Sequence, residues 1–251
     1  MHSYKWLAIE TSTDVLSLAL ASSQGGASEV WAHSAKGGAQ SSLLVLPEIV
    51  GLMDQAQLLF TDLTAVVFGK GPGSFTGLRT ACSVAQGLAF GAGVSVLPID
   101  TLLAVAEDAR FQNENLLQTE PKQEMQRYFV AMDARMDQVY TAAYEWQEGW
   151  RCVQMPSVNS PQDICVPNEW KDRAFTTVGN AWEAFATRWP TALSDKPMCA
   201  MPTAQALLRL APVALEQGLA VPPEDALPLY IRDKVAQTTQ EREQIKLATT
   251  I

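Results

Sequence analysis

Tyr4-Lys5-Trp6-Leu7-Ala8-Ile9-Glu10, Val15-Leu16-Ser17-Leu18-Ala19-Leu20-Ala21 and Glu29-Val30-Trp31-Ala32-His33-Ser34 follow one another with only short joints between them. Each run is long enough for a strand, and the third alternates polar and apolar positions as a half-buried strand does. Ser23-Gln24-Gly25-Gly26 supplies the turn before the third run, so the chain opens as an antiparallel meander. Three strands before any helix argue against a dinucleotide-binding start, in which the first strand passes at once into a helix.

Working outward, a helix is expected from about Gln40 to Gln57, then a buried strand at Ala65-Val66-Val67-Phe68. Gly69-Lys70-Gly71-Pro72-Gly73-Ser74 leads into a helix from Thr76 to about Phe90, which Gly91 and Gly93 stop before a strand at Val94 to Leu97. A further helix is read from Thr101 to about Ala109. The order β-β-β-α-β-α-β-α gives a mixed sheet with helices packed on it, and matches one lobe of the ribonuclease-H-like, actin-like architecture. Asn113 to Gln126, with Pro121, reads as a linker. A second strand set follows at Tyr128 to Asp133, Gln138 to Trp146 and Trp150 to Gln154, with a helix at Thr203 to Gln217. The expected fold class is therefore α/β, with two β-rich lobes whose openings echo one another. The first spans 1–110, a smaller or degenerate second spans 111–235, and 236–251 forms a polar tail, frayed or disordered.

At 251 residues, with 47% hydrophobic and 18% charged residues, the chain can build a real core. Its net charge of −9 gives no bulk attraction to phosphate backbones, so any nucleic-acid contact is expected mostly through another subunit. The apolar run at the start is cut by Glu10, and no stretch approaches the ~20 apolar residues that span a bilayer. Cys82, Cys152, Cys165 and Cys199 are scattered without a CxxC pair, as expected of reduced thiols in a cytoplasmic protein.

Two segments could carry chemistry. Gly71, Gly73 and Ser74, between a strand and a helix, could form a phosphate loop, because glycines permit the turn and a helix N-terminus presents free N–H groups. They could equally be a tight turn with Ser74 or Thr76 as N-cap. The spacing is neither that of a Walker loop nor that of a dinucleotide fingerprint, and the turn reading is favoured. Glu10, Thr11 and Ser12 follow the first strand and could hold a metal-bound phosphate or simply close a hairpin. Asp133 and Asp137 straddle Arg135, a pattern more typical of a salt-linked bend than of an acid–base pair. With only His2 and His33, no HExxH pair and no GxSxG, neither a histidine-held metal site nor a serine triad can be assembled. The expectation is no catalytic residue and no metal.

The helices flanking these loops are more informative. Gly77, Ala81, Ala85 and Ala89 fall four apart and form one smooth face. Leu43, Leu46, Val50 and Met53 form a seam on a helix that is apolar nearly all round. Burial within the domain explains such faces, and so does a partner helix on the outer side.

The blocks Leu7-Ala8-Ile9-Glu10-Thr11-Ser12 and Gly71-Pro72-Gly73-Ser74-Phe75-Thr76-Gly77-Leu78-Arg79-Thr80 resemble the bacterial TsaB (YeaZ) family. The likeness continues through Gln86-Gly87-Leu88-Ala89, Ile99-Asp100-Thr101-Leu102, Asp133-Ala134-Arg135-Met136-Asp137-Gln138-Val139-Tyr140 and Pro228-Leu229-Tyr230-Ile231-Arg232. The resemblance implies an actin-like (ASKHA) fold and a part in making threonylcarbamoyladenosine beside the anticodon of tRNAs that read codons starting with A. It implies a non-catalytic subunit that pairs with the catalytic paralogue TsaD, joined by the ATPase TsaE. The first two helices would form the heterodimer or a homodimer. The histidine pair of TsaD has no counterpart near Pro98 to Leu103. ATP or ADP is implied for the complex rather than for this chain, since Glu10 stands where many relatives carry Asp and no further glycine is nearby. The alternative is a small-molecule kinase or ATPase of the same fold.

Overall fold

The computed structural model describes residues 3–24, 27–117, 124–191, 193 and 197–232. The 236–251 tail, Gly25 and Gly26 of the expected turn, and Pro121 lie outside the described residues.

The meander is present. Strands β1 (Tyr4–Glu10), β2 (Val15–Gln24) and β3 (Ala27–Lys36) pair antiparallel in sequence order. Helix α1 (Ser41–Gln55) carries the chain over the sheet to β4 (Ala65–Gly71), which runs parallel to β1. Helix α2 (Phe75–Ala92) returns it to β5 (Ser95–Asp100), parallel to β4. The sheet order is β3-β2-β1-β4-β5. Alternation along β1 decides its two faces. Leu7 and Ile9 point to α1 and α2 and pack with Val45, Ile49, Leu52, Ala81 and Ala85, whereas Trp6 and Ala8 point to the opposite layer. Full burial of each large aliphatic side chain here contributes about 1.5–3 kcal/mol.

The second lobe repeats the plan. Strands β6 (Gln126–Asp133), β7 (Val139–Trp146) and β8 (Trp150–Asn159) form another antiparallel meander, and the short β9 (Thr176–Val178) adds parallel to β6. The order β8-β7-β6-β9 reproduces β3-β2-β1-β4 of the first sheet. Two such lobes make the actin-like, ribonuclease-H-like fold. β9 escaped the sequence reading because three residues in a Trp- and Pro-rich stretch carry no periodicity.

Two helices join the lobes. Helix α3 (Thr101–Leu117) runs well past Ala109, into the stretch read as a linker. Its Leu102, Val105, Ala106 and Ala109 pack on Tyr128, Val130 and Tyr144 of the second sheet. The short α4 (Ala181–Ala184) covers the far side of that sheet. Helix α5 (Ala204–Glu216), capped by Thr203 accepting from the Ala206 N–H at 3.1 Å, then returns to the first lobe. There Leu207, Leu208 and Ala211 cover Trp6, Ala8, Val67 and Leu97. The boundary at 110 is thus crossed twice: α3 serves the second lobe from within the first segment, and α5 serves the first from within the second. Amphipathic helices show which face is buried but not which sheet buries it.

Glu107 of α3, almost fully buried, ties the layers together. It accepts from Arg110 Nε and Nη2, both at 2.9 Å, from Arg209 Nε at 2.8 Å and from Trp150 Nε1 at 3.1 Å. Asp100 at the end of β5 accepts from Leu102 N and caps α3. Its other oxygen accepts from Tyr144 Oη at 2.7 Å, across the lobe junction.

Candidate functional site

A cleft of about 300 Å³ opens between the lobes, lined by Ser12, Ser74, Phe75, Asn180, Tyr230 and Arg232 among others. Of the candidate phosphate-loop residues, Ser12, Gly73 and Ser74 line it, while Glu10, Thr11 and Gly71 are buried and do not line it. Glu10, 1% exposed, accepts from Ser12 N at 2.6 Å through Oε1 and from Thr101 Oγ1 at 3.4 Å through Oε2. Burial pushes its carboxyl up to about 7, against the opposing pull of these hydrogen bonds. The side chain lies flat on the backbone of β4, so a Cβ on Gly69 would stand 1.8 Å from Oε2.

The N-terminus of α2 is equally engaged. Ser74 N donates to Ser12 O at 2.7 Å, Ser74 Oγ accepts from Gly77 N at 3.4 Å, and Thr11 Oγ1 donates to Gly77 O at 2.7 Å. The helix is pressed so closely on the 11–12 loop that a Cβ on Gly77 would lie 1.8 Å from Thr11 O, and one on Gly73 2.5 Å from Ser12 Cβ. Ser74 is therefore the N-cap, as the turn reading expects. The packing of α2 on the 11–12 loop thus uses Ser74 N and Gly77 N within the chain. Among the described residues, no three His, Cys, Asp or Glu side chains gather as metal ligands.

Asp133, Arg135 and Asp137 form the rim on the second lobe, in the β6–β7 turn. Arg135 reaches Asp14 across the cleft mouth and also bonds Asp133 at 3.2 Å, while Asp137 pairs with Arg188. Asp137 is exposed, and its carboxyl is lowered by the Arg188 hydrogen bond. The salt-linked-bend reading describes this segment.

The proposed interface residues divide. Leu43, Leu46 and Val50 are exposed, at 75%, 49% and 46%, and form an apolar row on the outer side of α1. Met53, Gly77, Ala81, Ala85 and Ala89 are buried against β1, β4 and α1. The smooth face read on α2 thus faces the protein's own sheet and is not available to a partner. Small residues there let the helix lie close to the strands.

A second smooth stripe, missed in the sequence, faces outward. Ser83, Gly87 and Gly91 are exposed beside Phe90, itself 79% exposed. A Cβ added at Gly87 or Gly91, or at Gly51 on α1, would meet nothing within 4 Å. A glycine in an exposed helix costs about 1 kcal/mol relative to alanine, and no contact within this chain requires it at these three positions. The signal was legible: a four-residue period of small residues begun two positions after Ala81.

Among the described residues, no helix is long and apolar enough to cross a membrane. The family model described as TsaD, tRNA N6-adenosine threonylcarbamoyltransferase, matches residues 32–240. The chain is 30% identical over 238 residues to the tRNA threonylcarbamoyladenosine biosynthesis protein TsaB of Escherichia coli (strain K12), covering 92% of this chain and 95% of that relative. It is 32% identical over 202 residues to the protein of the same name from Haemophilus influenzae, covering 76% and 79%. The structure described as YeaZ from Pseudomonas aeruginosa superposes with a TM-score of 0.76 at 31% identity, over 90% of this chain and 99% of that one. With its two matching lobes, its GPGSFTGLRT turn and relatives along nearly its whole length, the chain belongs to the TsaB (YeaZ) family, within the wider family of the threonylcarbamoyltransferase model.

Proposed function

We propose that this chain takes part in threonylcarbamoyladenosine formation on tRNA as a non-catalytic subunit that holds a TsaD-type transferase in its working conformation. The observation that carries the reading is the outward face of α1 and α2. There Leu43, Leu46, Val50 and Phe90 are exposed beside three open helical glycines. Apolar anchors beside smooth backbone suit a helix pair of the same shape, since small residues let partner backbones approach closely while the leucines fill the flanking grooves. A paralogue with the same lobe plan would offer such a pair, and a second copy of this chain would offer another. The close packing of α2 on the 11–12 loop and the buried, hydrogen-bonded Glu10 support placing any ATP or ADP requirement with partner subunits, TsaE included. The net charge of −9 supports tRNA contact through the complex.

The test is complementation. In cells depleted of this chain, the threonylcarbamoyladenosine content of tRNA is measured by mass spectrometry after return of the wild type or Leu46→Glu. Burying an unpaired carboxylate in the contact is expected to abolish co-purification with the TsaD homologue and to leave the nucleoside near its depleted level, with unfolding midpoints unchanged. Full rescue by Leu46→Glu would remove the docking face. An unchanged nucleoside level on depletion would remove the function itself.

A further inference from the structure

The segment Ala226–Arg232 crosses the mouth of the cleft and is fastened at both ends. On the first lobe, the buried Ala226 carbonyl accepts from Gln86 Nε2 at 3.0 Å and Cys82 Sγ at 3.3 Å, both on α2. Leu229 N donates to Lys70 O at 2.6 Å. Tyr230 packs on Phe75, with ring centroids 5.2 Å apart, and its hydroxyl accepts from Arg79 Nε at 3.2 Å. On the second lobe, Arg232 Nη2 donates to the carbonyls of Ala134 and Arg135 at 2.7 and 3.3 Å, and Ile231 packs on that lobe's core.

The far anchor is an unusual piece of backbone. Arg135, Met136 and Asp137 are three successive non-glycine residues in the left-handed region, with φ of 59°, 52° and 62°. Non-glycine residues other than Asn and Asp enter this region at a steric cost, so three in succession persist only where their surroundings over-determine them. Within the turn, Ala134 N donates to Gln138 O at 2.9 Å, and Gln138 N to Arg135 O at 3.1 Å. The turn also reaches the first lobe through the exposed Arg135–Asp14 pair, and the charged donor onto its backbone carbonyls is Arg232.

We infer that Ala226–Arg232 is a clasp that holds the strained β6–β7 turn and couples it to helix α2, so that the two rims of the cleft move as one unit. A shift of α2 is carried through Ala226, Leu229 and Tyr230 to Arg232, and release of Arg232 frees a turn that stores conformational energy. The coupling belongs to the isolated chain and stands whether or not α2 docks a partner.

Hydrogen–deuterium exchange on the full-length chain tests it with one variant at each end. In Arg232→Ala, protection of Ala134 and Gln138 is expected to fall about tenfold or more, because a charged hydrogen-bond donor is lost. Leu229 on the first lobe is expected to lose protection with them. Tyr230→Ala, altered only at the α2 end, is expected to lower protection at Ala134 and Gln138 as well. Amides of β2 serve as a control for global unfolding. Effects confined to the lobe of each substitution would overturn the inference. Denaturant unfolding gives a second reading that does not depend on local exchange. A clasp acting as one body makes the double variant less destabilised than the sum of the singles, whereas strict additivity would overturn the inference.

Discussion

Replacing Glu10 by glutamine is expected to stabilise the protein above neutral pH and to remove most of its pH dependence there. The wild-type carboxyl is 1% exposed and, through desolvation, titrates at about 7 against an ordinary 4.5. The folded state therefore keeps a proton across a window in which the unfolded chain has already released it. Stability from this group is complete below about 4.5 and falls as pH rises towards about 7. At 1.36 kcal/mol per pH unit, the full loss is about 3 kcal/mol, of which about 2 kcal/mol falls between about pH 5.5 and about pH 8. Asp100, also raised by burial despite its bonds to Tyr144 and the α3 amides, contributes with the same sign. A glutamine keeps an oxygen for Ser12 N and turns its amide towards Thr101 Oγ1. It fills the same buried position without a charge. Urea midpoints for both proteins at the two pH values measure the difference. The expectation is a wild type markedly less stable at about pH 8 than at about pH 5.5. The variant should keep only the Asp100 slope and exceed the wild type at the higher pH. A wild type equally stable at both values, or a variant weaker at both, would refute the picture of Glu10 as a desolvated acid.

Other substitutions follow from the packing. Gly77→Ala drives a methyl group onto the Thr11 backbone carbonyl and should destabilise by several kcal/mol, read as a lowered Tm, because backbone rather than a flexible side chain must give way. Gly87→Ala on the same helix enters open space, so it should raise stability by about 0.5–1 kcal/mol while weakening pairing at the outer face. Glu107→Ala removes the common acceptor of Arg110, Arg209 and Trp150 and is expected to cost about 1–3 kcal/mol by denaturant unfolding, since buried donors lose their acceptor while Arg110 keeps Glu114 and Arg209 keeps Asp108 as counter-charges.

The local turns could be read directly because their causes are local. Ser74 caps α2, and Gly93, with φ of 69°, ends it as a left-handed residue should. The strands of both meanders were visible because alternation and turn residues lie within a few positions of each other. The candidate phosphate loop was legible as a set of residues but not as a closed one. Its closure depends on the Thr11–Ser12 backbone meeting α2 across 66 positions of sequence.

The amino-acid sequence by itself determined the β-β-β-α-β-α-β opening, the caps, the absence of any histidine cluster and the family likeness. All of these rest on side-chain period, turn chemistry or motif order along the chain. Tertiary structure alone decided which smooth face of α2 is free. Ala81, Ala85 and Ala89 and the stripe through Gly87 and Gly91 lie two residues apart, on opposite sides of the helix, and only the position of the sheet distinguishes inside from outside. It also decided that α5 belongs to the first lobe and that Leu229, Tyr230 and Arg232 bridge the cleft. Those contacts join residues more than ninety positions apart, and no local pattern encodes them. The physical reason is the same in each case. Propensity and periodicity act over one or two turns of chain, while burial and docking are settled by whichever surface the finished fold brings opposite.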